Sequence, residues 1–176
     1  MTDIWNHFNK NKLGLIGFWI LILLISAAVF APIITPSGYA EQKYLNNIND
    51  FPSTKHWFGV DAVGRDYFTR VIFGARVSLF VGFTAGIIAL LIGVPMGAVA
   101  GYYKGSVDWI VMRLVEIFSV IPSLLIAILF ITLAGSGIQN IIFIISLISW
   151  KDICRIVRGE IITLKEREFF ISARAI

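Results

Sequence analysis

The chain has 176 residues, 57% of them hydrophobic and 15% charged, with a formal net charge of +4 and a mean hydropathy of +0.82. Soluble domains carry roughly 25% charged residues, and here the apolar excess is gathered into runs near the ~18–20 residues that cross a bilayer. A soluble enzyme is excluded, and the small basic excess, with no basic run interleaved with aromatics, suits lipid headgroups better than nucleic acid.

The first polar stretch, "MTDIWNHFNKNK", leads into an apolar run from Leu13 to Pro36. "AVFA", ending at Ala31, resembles a signal-peptidase site, but a signal core is usually ~7–15 residues; the longer run here favours a retained first span. A polar segment from about Ser37 to Arg76 follows, too broken by charge, Pro52, Gly59 and Gly64 to cross. The second span is "VSLFVGFTAGIIALLIGVPMGAVAGYY". Its Gly82, Gly86, Gly93, Gly97 and Gly101 are expected along one helical stripe, where small residues let backbones approach. Pro95 is expected to bend that helix.

A third span is expected from about Trp109 to Leu133, with Pro122 inside it and Arg113 and Glu116 paired on one face. After the uncharged turn "AGSGIQN", a fourth begins near Ile138, is apolar only to Trp150, and is expected to continue as an amphipathic helix. With the N-terminus inside, the N-terminal tail, the Lys104 loop and the closing stretch hold ten of the fifteen basic residues, which predicts a cytoplasmic N-terminus and closing stretch.

That stretch reads "KDICRIVRGEIITLKEREFFISARAI". On a helical wheel Ile153, Ile156, Val157, Ile161 and Leu164 share one edge, and Lys151, Arg155, Arg158 and Lys165 another. The first edge is expected to bury against the membrane domain and the second to meet lipid phosphate or an acidic partner; a helix lying on the bilayer is the competing reading. The adjacent Phe169 and Phe170 and the small residues after them suit a groove on a partner, and the charges at 166–168 and 174 argue against a fifth span within this stretch.

No phosphate-binding glycine loop, HExxH or GxSxG motif is present. His7 and His56 lie outside the spans, and Cys154 is alone, so no disulfide can form within the chain and no metal or cofactor site is expected. Transport of any kind would draw its energy from elsewhere.

Three blocks, in order, resemble the C-type permease subunit of peptide-family ATP-binding-cassette importers, which serve dipeptides, oligopeptides or nickel. "HWFGVDAVGRDYFTRVIFGARVSL" is similar to the family segment before the second span and includes Gly59, Asp61, Gly64, Arg65 and Asp66. "GVPMGAVAGYYKGSVDWIVMRLVEIFSVIPSLL" resembles the second and third helices, and "SWKDICRIVRGEIITLKEREFFISARA" the approach to the cytoplasmic "EAA" loop. The resemblance implies an all-α polytopic inner-membrane bundle, with four spans here of an expected six and a cytoplasmic coupling helix at the end. It implies the first span with its cytoplasmic tail over residues 1–50, an extracytoplasmic connection over 51–75 and a partial permease domain over 76–176. The implied subunit is no enzyme, and ATP and magnesium belong to its partners. Those are cytoplasmic ATP-binding subunits, a second (B-type) permease and an extracytoplasmic substrate-binding protein, in a bacterial or archaeal cytoplasmic membrane. Glu168 and Phe169 match the lead-in of the coupling loop, and Ile171, Ser172 and Ala173 stand where the family has Glu-Ala-Ala, followed by Arg174. Ile171 in place of the glutamate removes a surface charge; the small face survives at Ser172 and Ala173. A non-transport scaffold that recruits a cytoplasmic partner is the alternative from another class.

Overall fold

A computed structural model describes residues 11–35, 38, 40–168 and 170. Among them the fold is all-α, and the sole β-type contact is an isolated bridge between Val60 and Asp66. The chain divides into two compact units, Met1–Phe80 and Val81–Ile176.

In the first unit, α1 (Lys12–Val29) starts where the Asn11 side chain accepts the Gly14 N–H at 3.1 Å, closing one of the orphan donors of a helix start. It is apolar all round, and of its residues Ala28 alone is buried, the pattern of a helix whose solvent is lipid. Pro32, which cannot donate back into the helix, lies in a separate turn, Ala31–Ile34. A loop with a short 3₁₀ turn at Leu45–Asn47 then leads into α2 (Tyr67–Tyr103), which from Val81 onward belongs to the second unit. This helix starts about ten residues before the apolar run, because the Asp66 carboxylate accepts the Thr69 N–H at 2.7 Å and caps its first turn. Its 37 residues extend roughly 55 Å. Pro95 is held inside it.

In the second unit, Lys104 and Gly105, both at positive φ (55° and 58°), turn the chain into α3 (Gly105–Val120). The single third span expected from sequence is instead broken. α3 ends at Ile121, which is extended (ψ 124°), and α4 (Ser123–Ala134) leaves at 80° after Pro122. Proline lacks the donor that would bridge the two helices and pushes the residue before it out of the helical region. Asn140 donates to the carbonyls of Ala134 (3.0 Å) and Gly135 (2.8 Å), closing the end of α4. α5 (Ile138–Lys165) is one continuous helix through the expected change from apolar to amphipathic. Its core partners are Ala89, Ala100, Val111 and Val115, gathered around Trp150 and Cys154.

By length and apolarity α1 and α2 can each cross a membrane, and α3 with α4 can make a third crossing if the bent pair is one span. The fourth expected span is short on this count: the apolar part of α5, Ile138–Trp150, covers only about 20 Å.

Candidate functional site

The loop before α2 draws Gly59, Asp61, Gly64, Arg65 and Asp66 into one knot. Asp61 is buried and accepts the N–H groups of Val63 (2.9 Å) and Arg65 (2.8 Å), Arg65 Nε (3.0 Å) and Arg70 Nη1 (2.9 Å). Burial by itself pushes the Asp61 carboxyl up; the two backbone donors and the Arg65 guanidinium outweigh it and hold the group below the ordinary aspartate value. Gly64 (φ 76°) packs against the backbone of Tyr44 and Leu45, and Gly59 (φ 80°) lies against Asp50, whose carbonyl oxygen would be 2.5 Å from a Cβ there. Gly59→Ala is therefore expected to cost about 1–3 kcal/mol through strain and overlap. It should appear as faster proteolysis of the loop, and an unchanged cleavage pattern would contradict this assignment. These residues build an entry to α2; beside them His56 is buried with its Nδ1 3.8 Å from Asp66.

The glycine stripe divides. A Cβ at Gly93 would come within 2.6 Å of the Trp150 carbonyl oxygen, at Gly97 within 2.5 Å of that of Cys154, and at Gly101 within 2.8 Å of that of Arg158. These three let α2 and α5 touch at the backbone, in parallel and in register. Gly82 and Gly86 have no such neighbour and do not belong to this seam. The seam continues upward through the buried Ala85 and Ala89, facing Ser146, whose hydroxyl donates to the carbonyls of Ile142 (2.7 Å) and Ala85 (3.3 Å). Reading by glycine missed those alanines; a strict period of four, from 85 to 101, marks the whole line.

The buried edge of α5 is the expected one at Ile153, Val157 and Ile161, which pack on the three glycines. Ile156 is 66% exposed and Leu164 is exposed too, and Arg158, expected on the basic edge, turns inward. Both prongs of its guanidinium meet the Asp108 carboxylate at the start of α3: Nε on Oδ1, and Nη2 on Oδ2 at 2.5 Å. The fork draws Arg158 off the basic edge, and the small, buried Cys154 lets α2 approach beside it. The supposed free basic edge is engaged within the chain. Arg155 donates to the Ser119 hydroxyl at 2.6 Å, Lys151 lies 3.5 Å from Asp152, and Lys165 donates to the Tyr102 carbonyl with its ammonium over the Tyr102 ring. Arg113 and Glu116 do pair, at 3.2 Å on an exposed face. After α5 the chain turns at Glu166 and Arg167. Of the coupling-loop residues Glu168 is described and exposed; Phe169, Ile171, Ser172, Ala173 and Arg174 lie outside the described residues. Among the described residues no group of His, Cys, Asp and Glu could hold a metal ion.

Residues 1–52 match the family described as the N-terminal TM domain of oligopeptide transport permease C, and residues 93–176 the binding-protein-dependent transport system inner membrane component. The dipeptide transport system permease protein DppC of Bacillus subtilis (strain 168) is 42% identical over 172 residues, 98% of this chain and 53% of that protein. This chain is similar over nearly its whole length to transport-system permeases. Also similar is the oligopeptide permease OppC of the same bacterium, 38% identical over 99% of this chain and 57% of that protein. The glutathione permease GsiD of Escherichia coli O6:K15:H31 is 39% identical, again over 99% of this chain and 57% of that protein. The chain thus spans about half the length of the curated relatives it matches. The second family is described as an inner-membrane component, which agrees with the apolar helices found in this chain.

Proposed function

We propose that this chain belongs to a permease subunit that forms half of the pathway of an ATP-driven peptide importer. The observation that carries the reading is the roughly 40% identity over nearly the whole chain to dipeptide, oligopeptide and glutathione permeases. The N-terminus is cytoplasmic, a B-type permease completes the pathway, and an extracytoplasmic binding protein delivers substrate. ATP and magnesium act at separate cytoplasmic subunits, whose binding of nucleotide shifts the population between inward- and outward-open states. The segment Glu168–Arg174 is the docking element, and Ser172 and Ala173 supply its small face. Peptide ranks above nickel as substrate because the relatives are peptide and glutathione permeases. A scaffold without transport is the weaker reading, because all three relatives are named as transport permeases.

A strain lacking this gene is expected to fail on an essential amino acid supplied only as di- or oligopeptide. Ala173→Arg should abolish uptake while leaving the permease in the membrane, because a long charged side chain cannot enter a docking face built for a methyl. Unimpaired growth with lost nickel uptake would reverse the substrate ranking. Unimpaired uptake by Ala173→Arg would remove the docking role.

A further inference from the structure

The contacts of α5 are distributed in a way that packing alone does not require. Its lower half is tied to α2 by backbone-level contact at Gly93, Gly97 and Gly101, and to both ends of α3 by arginines. Arg158 grips Asp108 in the first turn of α3, and Arg155 reaches Ser119 in the last, two residues before the break. Ser119 in turn donates to the Val115 carbonyl at 2.6 Å, so Arg155 holds a hydroxyl already fixed to the helix. Between these ends Val115 is buried and Phe118 meets Trp150 edge-on at 5.7 Å. Immediately beyond lies Ile121–Pro122, where the 80° bend interrupts the helix and no helical hydrogen bond joins α3 to α4.

A two-pronged arginine–carboxylate pair resists rotation as well as separation, because both N–H···O bonds must be kept at once. Neither side chain is freely solvated: Arg158 is 32% and Asp108 18% exposed. Such a pair is a weak argument for stability, since desolvation offsets much of the attraction; fixing one relative geometry is the better-attested role.

We propose that Arg158 and Asp108 are positioning residues that make α3 and the lower half of α5 one rigid body, so that displacement entering at the end of α5 reaches α4 through the Ile121–Pro122 break. This rests on the reading that the segment after α5 receives motion from an ATPase, and it adds the route and the hinge. Movement of α5 alone would need Arg158 to leave a partly buried carboxylate and Arg155 to leave Ser119. Bending at the break disrupts no hydrogen bond between α3 and α4; it moves α4 against the upper half of α5, where Phe130 stacks on Phe143 at 5.2 Å and Asn140 holds the Ala134 and Gly135 carbonyls.

The test is made on the assembled importer, in a Cys154→Ala background, with spin labels at exposed sites. One pair joins α3 to α5 (Trp109→Cys with Glu160→Cys) and the other spans the break (Trp109→Cys with Leu129→Cys). Between nucleotide-free and ATP-trapped states the first pair is expected to give superimposable distances and the second to shift. A shift in the first pair, or none in the second, overturns the proposal, and neither result depends on a destabilised variant. Asp108→Asn should broaden the first distance and lower substrate moved per ATP at least about fivefold, the lower end of ordinary coupling factors, while ATP hydrolysis continues. Arg158→Lys, which keeps charge and loses the fork, should fall in the same direction. Loss of uptake only in proportion to lost protein would assign the pair a structural role and sink the idea. If Ala173→Arg leaves both uptake and hydrolysis intact while the label distances behave as expected, the docking reading fails and the rigid body stands.

Discussion

Gly97→Ala is expected to melt well below the parent protein in detergent, whereas Gly86→Ala is expected to melt at or slightly above it. The two glycines sit on one helix and are alike in sequence context, but a Cβ at Gly97 would overlap the Cys154 carbonyl oxygen at 2.5 Å and Val157 Cβ at 3.0 Å. The first of these is backbone and cannot rotate away, so α2 and α5 must part. Overpacking of this kind costs about 1–3 kcal/mol. Parting also loosens the seat of Trp150 and Cys154, and Gly97→Leu should abolish accumulation of folded protein. Gly86 has open space where a Cβ would go, and alanine is the better helix former by about 1 kcal/mol. Equal melting temperatures for the two alanine variants would mean that the seam does not hold these helices together.

Asp61→Asn is the second large effect. The carboxylate accepts four hydrogen bonds, two from backbone and two from arginines; an amide must turn its NH₂ toward one of those donors. Leaving such a donor unmet costs about 1–3 kcal/mol, with the upper part discounted because Arg65 and Arg70 are about one-third exposed and screened by water. The pH dependence has a definite sign. The folded-state pKa lies below the unfolded value, so the contribution of Asp61 is fully present above the ordinary carboxylate range. It is lost as pH falls through the depressed folded value. Trp57, in the same loop as Asp61 and with its ring 5.0 Å from that of Phe68 at the start of α2, reports it. Its fluorescence, taken as the difference from Trp57→Phe, should stay constant from neutral pH to about pH 5 and change below about pH 4. Asp61→Asn should look altered already at neutral pH. A parent protein that changes near neutral pH would point to a different group.

The parts of this chain that follow from local chemistry were legible in its sequence. The apolar runs located α1 and α2, and the proximity of Gly59, Asp61, Gly64, Arg65 and Asp66 along the chain let a single loop gather them. Prolines were harder. Pro95 and Pro122 both lie in apolar runs, yet α2 continues through the first while the second ends α3. The difference is whether the residue before proline gives up its helical conformation, as Ile121 does, and that is decided by tertiary contacts. The helical wheel placed Ile153, Val157 and Ile161 on the buried edge of α5, but the turn of Arg158 was out of reach for a similar reason. A helical wheel ranks side chains by polarity and would set Arg158 outside, but Asp108, fifty residues earlier, draws it in. Pairing across that separation leaves no trace in periodicity.

The order of contacts along the glycine seam reaches beyond packing. Gly93, Gly97 and Gly101 meet Trp150, Cys154 and Arg158 in ascending order, so α2 and α5 point the same way. Two parallel neighbours end at the same level: Tyr103 and Lys165 lie at one end of the seam, and the bent pair between them carries the chain back. Counting lysines and arginines predicts that both ends share one side, and the parallel seam is the arrangement that expectation requires. Inverting one helix during insertion would therefore violate a charge rule and a contact map together.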